Sequence, residues 1–208
     1  MTRALMLVAA VCIGLTSAAC SNDEDGIPVG GDNIDSTPSS TPGNGADDGV
    51  PQNAPKVSNP IPNLEKYLKK PCDAIPKEQA RQLGLSTATP NPDHDNGPTC
   101  EFADEQGNRV TINFNNKQPL GIAGVYRNHE QIPQFYEYFE PTEVAGFPGV
   151  FADSIDDRAD GMCNLAVGIT ENQVLTVTVS IRQATGESDS CKFAKKAAET
   201  AATTMSRG

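Results

Sequence analysis

The stretch MCNLAVGITENQVLTVTVSI, residues 162–181, decides the fold. Two apolar runs, 162–169 and 174–181, flank the polar tetrapeptide TENQ, which predicts two strands joined by a turn. In the second run every other residue is apolar, starting at Leu175, whereas the alternate positions are mostly Thr and Ser. This two-residue period predicts an antiparallel sheet with one buried face and one largely polar face.

Outward from this hairpin, shorter alternating segments predict further strands. They lie at 100–103 and 109–114, joined as a second hairpin, at 121–126, and over 143–150, where a strand, a turn and a strand follow each other. The segment 86–98 is rich in Thr, Pro, Asn and Asp, which predicts a loop.

Three segments have the residue spacing of short amphipathic helices. The first is Pro76–Leu83, and the second is 128–139, in which Pro133 fits best in the first turn. The last helix is predicted to have Ser188 or Ser190 as its cap. Its predicted buried face consists of Cys191, Ala194, Ala198, Ala201 and Met205. The order of these elements predicts an α+β fold, in which helices pack on one face of an antiparallel sheet.

The N-terminus has the pattern of an export signal. A basic residue, Arg3, precedes a twelve-residue apolar run, Ala4–Leu15, which is too short to span a bilayer. Small residues and Cys20 follow, and this ending resembles a bacterial lipobox. The resemblance implies that residues 1–19 are removed and that the Cys20 sulfur carries a diacylglycerol, which anchors the chain in the lipid bilayer. The alternative is an ordinary secretory signal with an A-x-A-like cleavage site and an incidental cysteine.

Residues 20–63 are predicted to be a disordered tether. From residue 21 onwards, 33 of 43 residues are Gly, Pro, Ser, Thr, Asn, Asp or Glu, none is aromatic, and no apolar period is present. Such a segment cannot bury enough apolar surface to offset the entropy that is lost on ordering. The remaining residues, 64–208, are enough for a single domain with its own core.

The charge of the chain excludes one class of partner. Sixteen Lys and Arg stand against 27 Asp and Glu, which gives a formal net charge of −11. Nucleic-acid binding depends on cationic side chains that displace counterions from phosphate. No nucleic-acid partner is therefore predicted.

The predicted domain contains four cysteines, Cys72, Cys100, Cys163 and Cys191. An even number of cysteines in an exported domain indicates two disulfides. Of the three possible pairings we favour Cys72–Cys100 and Cys163–Cys191, because each bond then closes a short loop around one local unit. The alternative use of four cysteines is a metal site. The chain has no C-x-x-C pair, so no metal is predicted.

Several segments resemble one family in their order and spacing. They are Pro71–Ile75, the aromatic Phe102 two positions after a cysteine, Val144–Val150 and Cys163–Gly168. Together they are similar to segments of an actinobacterial lipoprotein family without an assigned activity, the domain-of-unknown-function family 3558. The resemblance spans nearly all of residues 71–205. It implies a cell-envelope lipoprotein on the extracytoplasmic face of the cell membrane, and it supplies no catalytic residues.

Few residues have the setting that catalysis needs. His94 lies in a predicted turn and His129 opens the predicted middle helix, and both are interpreted as surface histidines. The chain contains no G-x-S-x-G motif. The acidic segment 153–161 raises the question of a calcium loop, but its spacing differs from that of an EF-hand and Arg158 competes with a cation. A solvated turn is favoured there, and no catalytic residue or cofactor is predicted.

Three functions are compatible with these observations. They are a surface-displayed binding or accessory module, a structural or interaction scaffold of the envelope, and a hydrolase with an unrecognised site, of which the last is disfavoured. The partner of a binding module would be an envelope protein, a polymer or a small ligand. A deep pocket between the sheet and a helix would favour the binding module over the scaffold.

The candidate partner-binding residues are aromatic and lie in the middle of the domain. Five of the eleven aromatic residues are Tyr126, Phe135, Tyr136, Tyr138 and Phe139. On a helix the last four would fan over roughly 160°, whereas a core-facing stripe is often narrower. We therefore predict Tyr126, Tyr136 and Tyr138 as possible partner contacts, with at least one of Tyr136 and Tyr138 well exposed. Packing of the rings in the core is the alternative.

Overall fold

A computed structural model of the protein describes residues 51–182 and 187–208. It contains four α-helices, seven strands and two short 3₁₀ helices in these residues. The α-helices are α1 (Leu64–Lys69), α2 (Lys77–Gln82), α3 (Ile122–Gln131) and α4 (Glu187–Ser206). The strands are β1 (Thr87–Asn91), β2 (Thr99–Ala103), β3 (Arg109–Asn115), β4 (Tyr138–Val144), β5 (Phe147–Asp153), β6 (Met162–Thr170) and β7 (Gln173–Ser180). The 3₁₀ helices cover Pro71–Ala74 and Arg158–Asp160.

The seven strands form one antiparallel sheet in the order β1-β2-β3-β7-β6-β5-β4. The hairpin predicted from residues 162–181 is therefore the centre of the sheet, and the α+β class is confirmed. Val177 of β7 lies opposite Leu165 of β6 and Ile112 of β3, and all three side chains are fully buried. The apolar residues of alternating positions thus form one continuous layer across three strands.

Helix α4 covers this apolar layer. Its inner side is made mostly of alanine, and the chain buries Ala194, Ala197, Ala198, Ala201 and Ala202 completely. Met205 extends the same buried face near the C-terminal end of the helix. Alanine has a high helix propensity and a small side chain, so the helix backbone can lie close to β6 and β7. The predicted buried face of the last helix is confirmed for Ala194, Ala198, Ala201 and Met205, whereas Cys191 is only half-buried.

Helix α3 lies on the opposite face of the sheet. The residues of β6 on either side of Gly168 face α4, so Gly168 lies on the opposite face of the sheet. A Cβ atom at Gly168 would lie 2.9 Å from Ile122 of α3 and 3.1 Å from Val57. Helices therefore pack on both faces, one face being covered by α4 and the other only in part by α3.

Three predicted elements in the middle and first half of the domain are wrong. Residues 121–126 are the start of α3 and not a strand, and the predicted helix 128–139 contains only the last turn of α3. Pro133 ends this helix, because the residue before a proline is disfavoured in the α conformation and Ile132 is extended. The predicted loop 86–98 contains the edge strand β1, whose five residues are all exposed and therefore show no apolar alternation.

Two boundaries also differ from the prediction. Ser188 and Ser190 lie inside α4 and do not cap it, because the helix already begins at Glu187. The folded part begins before residue 64, since Val57 and Ile61 are each only 5% exposed and belong to the core. Ile61 also donates its backbone N–H to the carbonyl of Ile169 at 2.9 Å. The predicted signal peptide, Cys20 and the tether up to residue 50 lie outside the described residues.

Both disulfides form as predicted, Cys72–Cys100 and Cys163–Cys191. The first joins the 3₁₀ turn after α1 to β2, and the second joins β6 to the beginning of α4. Each bond connects residues that are 28 positions apart. The two bonds thus fasten helical segments to the same, apolar face of the sheet.

Removal of either disulfide should cost stability by a similar amount. Because the two loops have equal length, the double substitutions Cys72→Ala with Cys100→Ala and Cys163→Ala with Cys191→Ala should each lower the free energy of unfolding by about 3–4 kcal/mol. Urea denaturation followed by circular dichroism measures this. A loss below about 1 kcal/mol for either pair would show that chain entropy is not the main contribution of that bond.

Candidate functional site

The predicted partner-binding tyrosines are not exposed. Tyr138 is 6% exposed and Tyr126 is 9% exposed, and Tyr136 is half-buried. The prediction that Tyr136 or Tyr138 is well exposed is therefore wrong. The reason is that residues 132–137 are not helical and Tyr138 begins β4, so the rings do not fan around a helix axis.

Aromatic rings instead gather around Phe139. The imidazole of His129 stacks on it at 3.9 Å, the ring of Tyr126 meets it edge-on at 5.0 Å, and Tyr136 lies at 5.8 Å. Phe135 packs edge-on against Tyr136 at 4.7 Å and is 38% exposed. Burial raises the pKa of Tyr136 and of Tyr126, so both phenols are neutral at ordinary pH. This aromatic cluster joins α3 to β4, and its exposed members are Phe135 and His129.

Tyr138 makes separate contacts. Its phenolic oxygen accepts the backbone N–H of Asn164 at 3.2 Å, and the guanidinium of Arg158 lies over its ring, 4.1 Å from the centroid. Arg158 also donates to Glu140 at 2.8 Å and to Asp156 at 2.7 Å. The Arg158 guanidinium lowers the pKa of the Asp156 carboxyl through this hydrogen bond. Arg158 therefore pairs with Asp156 inside the acidic segment 153–161 and connects this turn to Glu140.

The sheet face opposite α4 is polar. At the alternate positions of β3 and β7 it presents Thr111, Asn113, Thr176 and Thr178, all of which are partly exposed. Among the described residues, α3 and the segment around Val57 cover this face beside β6, whereas the Thr and Asn side chains over the middle of β3 and β7 stay partly exposed. The period of residues 174–181 predicts this polar face, but it does not show that the face is concave.

A groove runs across the polar face, and we call it the sheet groove. One part, of about 550 Å³, lies over β1, β2, β3 and β7, and the other, of about 540 Å³, lies between α3, the segment after it, and β5, β6 and β7. Asn96, Asn115 and Thr176 line both parts, which therefore adjoin. Volumes of this size are typical of sites for small molecules.

The loop between β1 and β2 forms one rim of the sheet groove. It brings His94 and Asn96 to the groove, and Asn113 of β3 holds it by donating to the carbonyl of Gly97 at 2.9 Å. Gly97 has a φ of +108°, and a Cβ atom there would lie 2.0 Å from the carbonyl oxygen of Phe114. Only glycine fits this close approach.

The segment after α3 forms the opposite rim. It places Phe135 and Tyr136 against the groove. Gln134, beside Phe135, has a φ of +58°, a conformation that is rare for a residue with a side chain. Such strained residues occur often at binding sites, where the surrounding structure holds them. The exposed ring of Phe135 is therefore a better candidate contact than the three tyrosines.

Some polar groups on the floor of the groove are hydrogen-bonded within the protein, and others are available to a ligand. Asn164 donates to Asp153 and accepts from the hydroxyl of Thr178, so these side chains hold each other in place. The hydroxyls of Thr111 and Thr176 have no partner among the described residues. Every fully buried polar side-chain atom among these residues has a hydrogen-bond partner, so these two unpaired hydroxyls must reach solvent. A ligand can use each as donor and acceptor.

Among the residues that the structure describes, no Lys or Arg lines the sheet groove. The carboxylates among its described lining residues are Glu101 and Asp153. Glu101 lies 3.7 Å from Arg109, and Asp153 accepts hydrogen bonds from Asn164 and from Ser154. The groove is thus neutral to weakly acidic, and it disfavours anionic ligands.

Other candidate sites are weaker. His94 accepts the backbone N–H of Asn96 through Nδ1 at 3.2 Å, as in a turn. Within residues 51–182 and 187–208, no three His, Cys, Asp or Glu side chains are grouped as metal ligands would be. A cleft of about 430 Å³ between α2 and α4 is lined by long charged side chains, among them Lys196, Glu199 and Arg207. In the same part of the chain no helix is both long and apolar enough to cross a membrane.

The fold and the groove define a disulfide-bonded α+β domain with an open, polar sheet face. The chain belongs to the family described as "Protein of unknown function (DUF3558)", which matches residues 15–204. No curated protein and no solved structure matches the chain. The family resemblance predicted from the sequence is confirmed for the domain.

The close approach at Gly97 can be tested with a matched glycine. Gly97→Ala should lower the free energy of unfolding by about 3 kcal/mol, because the new Cβ atom would collide with the Phe114 carbonyl and force the loop away. Gly146→Ala shares the positive φ but meets nothing within 4 Å, so it should cost only about 1–2 kcal/mol. Urea denaturation compares the two variants, and equal losses would show that the loop does not depend on this contact.

Proposed function

We propose that the protein is a lipid-anchored lipoprotein of an actinobacterial cell envelope. In this proposal residues 1–19 are a signal peptide, Cys20 carries the lipid, and the domain lies on the extracytoplasmic face of the membrane. The family match begins at residue 15 and so includes Cys20, which supports the assignment. Two disulfides agree with an oxidising compartment.

The domain acts in this proposal as a binding module, and the sheet groove is its binding site. The observation that carries the proposal is the groove of two adjoining parts on a sheet face that the described residues cover only in part, with polar groups that are open to solvent and an exposed Phe135 at its rim. A scaffold would need no such concavity, and a flat surface would serve it equally well. The binding module is therefore favoured over the structural scaffold.

The anchor is tested by Cys20→Ala. This variant should move from the detergent phase to the culture medium, and metabolic labelling with a radioactive fatty acid should disappear, because the acylated sulfur is lost. Cys12→Ala is the matched control, since Cys12 lies inside the apolar run of the signal and its loss should change neither result. A wild-type chain without label would contradict lipidation.

The binding site is tested by filling the groove. The full chain with Cys20→Ala, which cannot be acylated at this position, is mixed with isolated envelopes of the organism that makes the protein. The envelopes are then sedimented together with the protein that is bound to them. Adding Thr176→Trp should reduce the bound fraction by about tenfold or more, because the indole occupies the middle of the groove. Ser180→Trp, on the same strand and face but outside the groove, is the matched control. Equal binding by both variants would contradict the proposed site, and their melting temperatures check that both are folded.

A further inference from the structure

We infer that the ligand of the sheet groove is an uncharged, hydroxyl-rich glycan of the envelope. This inference rests on the proposed function, because it names the chemistry of what the groove binds. It is carried by the side chains that line the groove.

The floor of the groove suits hydroxyl groups. Thr hydroxyls and Asn amides each offer both a donor and an acceptor, as sugar hydroxyls require. Asn96, Thr111 and Thr176 present such groups toward the groove without partners among the described residues. Asn164 and Thr178 are already fixed by hydrogen bonds to each other, which keeps that part of the floor rigid. A ligand that forms many neutral hydrogen bonds fits this lining.

The rim supplies the apolar contact that a sugar ring also needs. Phe135 is exposed, packs edge-on against Tyr136, and follows the strained Gln134, so its ring is held in place at the groove. A fixed aromatic face can lie against the C–H side of a pyranose while the hydroxyls reach the floor.

The extent of the groove favours an oligomer over a single sugar. Its lining reaches from β1 to β5 across the strand order β1-β2-β3-β7-β6-β5. Five strand spacings correspond to about 24 Å. Sheet faces of this kind serve as oligosaccharide-binding surfaces in other folds.

The charge of the groove lining and the prolines of the edge strands disfavour other classes of ligand. An anionic polymer or a phosphate headgroup would meet Glu101 and Asp153 and find no Lys or Arg in the lining. An acyl chain would need an apolar floor along its whole length, whereas the part of the groove over β1, β2, β3 and β7 is lined mainly by Thr and Asn side chains. A peptide that adds a strand needs an open sheet edge, whereas both edge strands carry a proline, Pro90 in β1 and Pro141 in β4.

The ligand class is tested with treated envelopes. The full chain with Cys20→Ala is sedimented with envelopes that are untreated, protease-digested, extracted with organic solvent, or oxidised with periodate, which cleaves the vicinal diols of sugars. Binding should survive digestion and extraction and should fall by about tenfold or more after periodate. Loss after protease with survival after periodate would overturn the inference in favour of a peptide partner. Loss after extraction alone would overturn it in favour of a lipid.

Two matched pairs of variants locate the contact. Phe135→Ala should weaken envelope binding by about threefold to tenfold, whereas Ile155→Ala, at a more exposed apolar residue outside the groove, should not. Thr176→Val removes a hydroxyl and keeps the shape, so it should weaken binding severalfold, and Thr203→Val on α4 should not.

If Thr176→Trp leaves binding intact, the proposed function itself fails. If it abolishes binding that periodate does not affect, only the glycan assignment fails.

Discussion

The close packing of an alanine-lined helix on the central strands is the constraint on which the structure depends. Because the inner side of α4 carries Ala194, Ala198 and Ala201, the helix can approach the apolar layer of β6 and β7 without leaving space between them. One face of the sheet is thereby sealed along its middle. The Cys163–Cys191 bond fastens the first turns of the helix to β6. In the part of the chain that the structure describes, α3 and the segment around Val57 cover part of the second face.

The edges of the sheet limit what this second face can bind. Pro90 and Pro141 stand in the two outermost strands, where each lacks the N–H that a further strand would need. Growth of the sheet by another chain is therefore hindered on both sides. The proposed site is therefore the face itself, and the side chains that decide its chemistry are the outward-pointing ones of β3 and β7 together with the two rims.

The sequence predicts the centre of the fold better than its periphery. Residues 175–180 alternate cleanly because only one of their faces is buried, so the polar side of this strand follows from the period alone. Helix α3 has a usable signal in the spacing of Ile122, Val125 and Tyr126, but Gly124 and the β-branched residues weaken it as a helix. Strand β1 has no such signal, because exposure of all its residues removes the alternation, and only its pairing with β2 defines it.

The sheet groove could not be predicted, because it is assembled from segments that are distant in the chain. One rim is the β1–β2 loop, held by Asn113, and the other follows α3, whose position depends on a contact with Val57 and Gly168. Gly168 has no side chain, and a Cβ atom there would meet Ile122 and push α3 away from β6. The segment around Val57 and the first residue of α3 therefore both lie against Gly168. The position of this wall depends on the missing side chain of Gly168, which a one-dimensional pattern of polar and apolar residues does not encode.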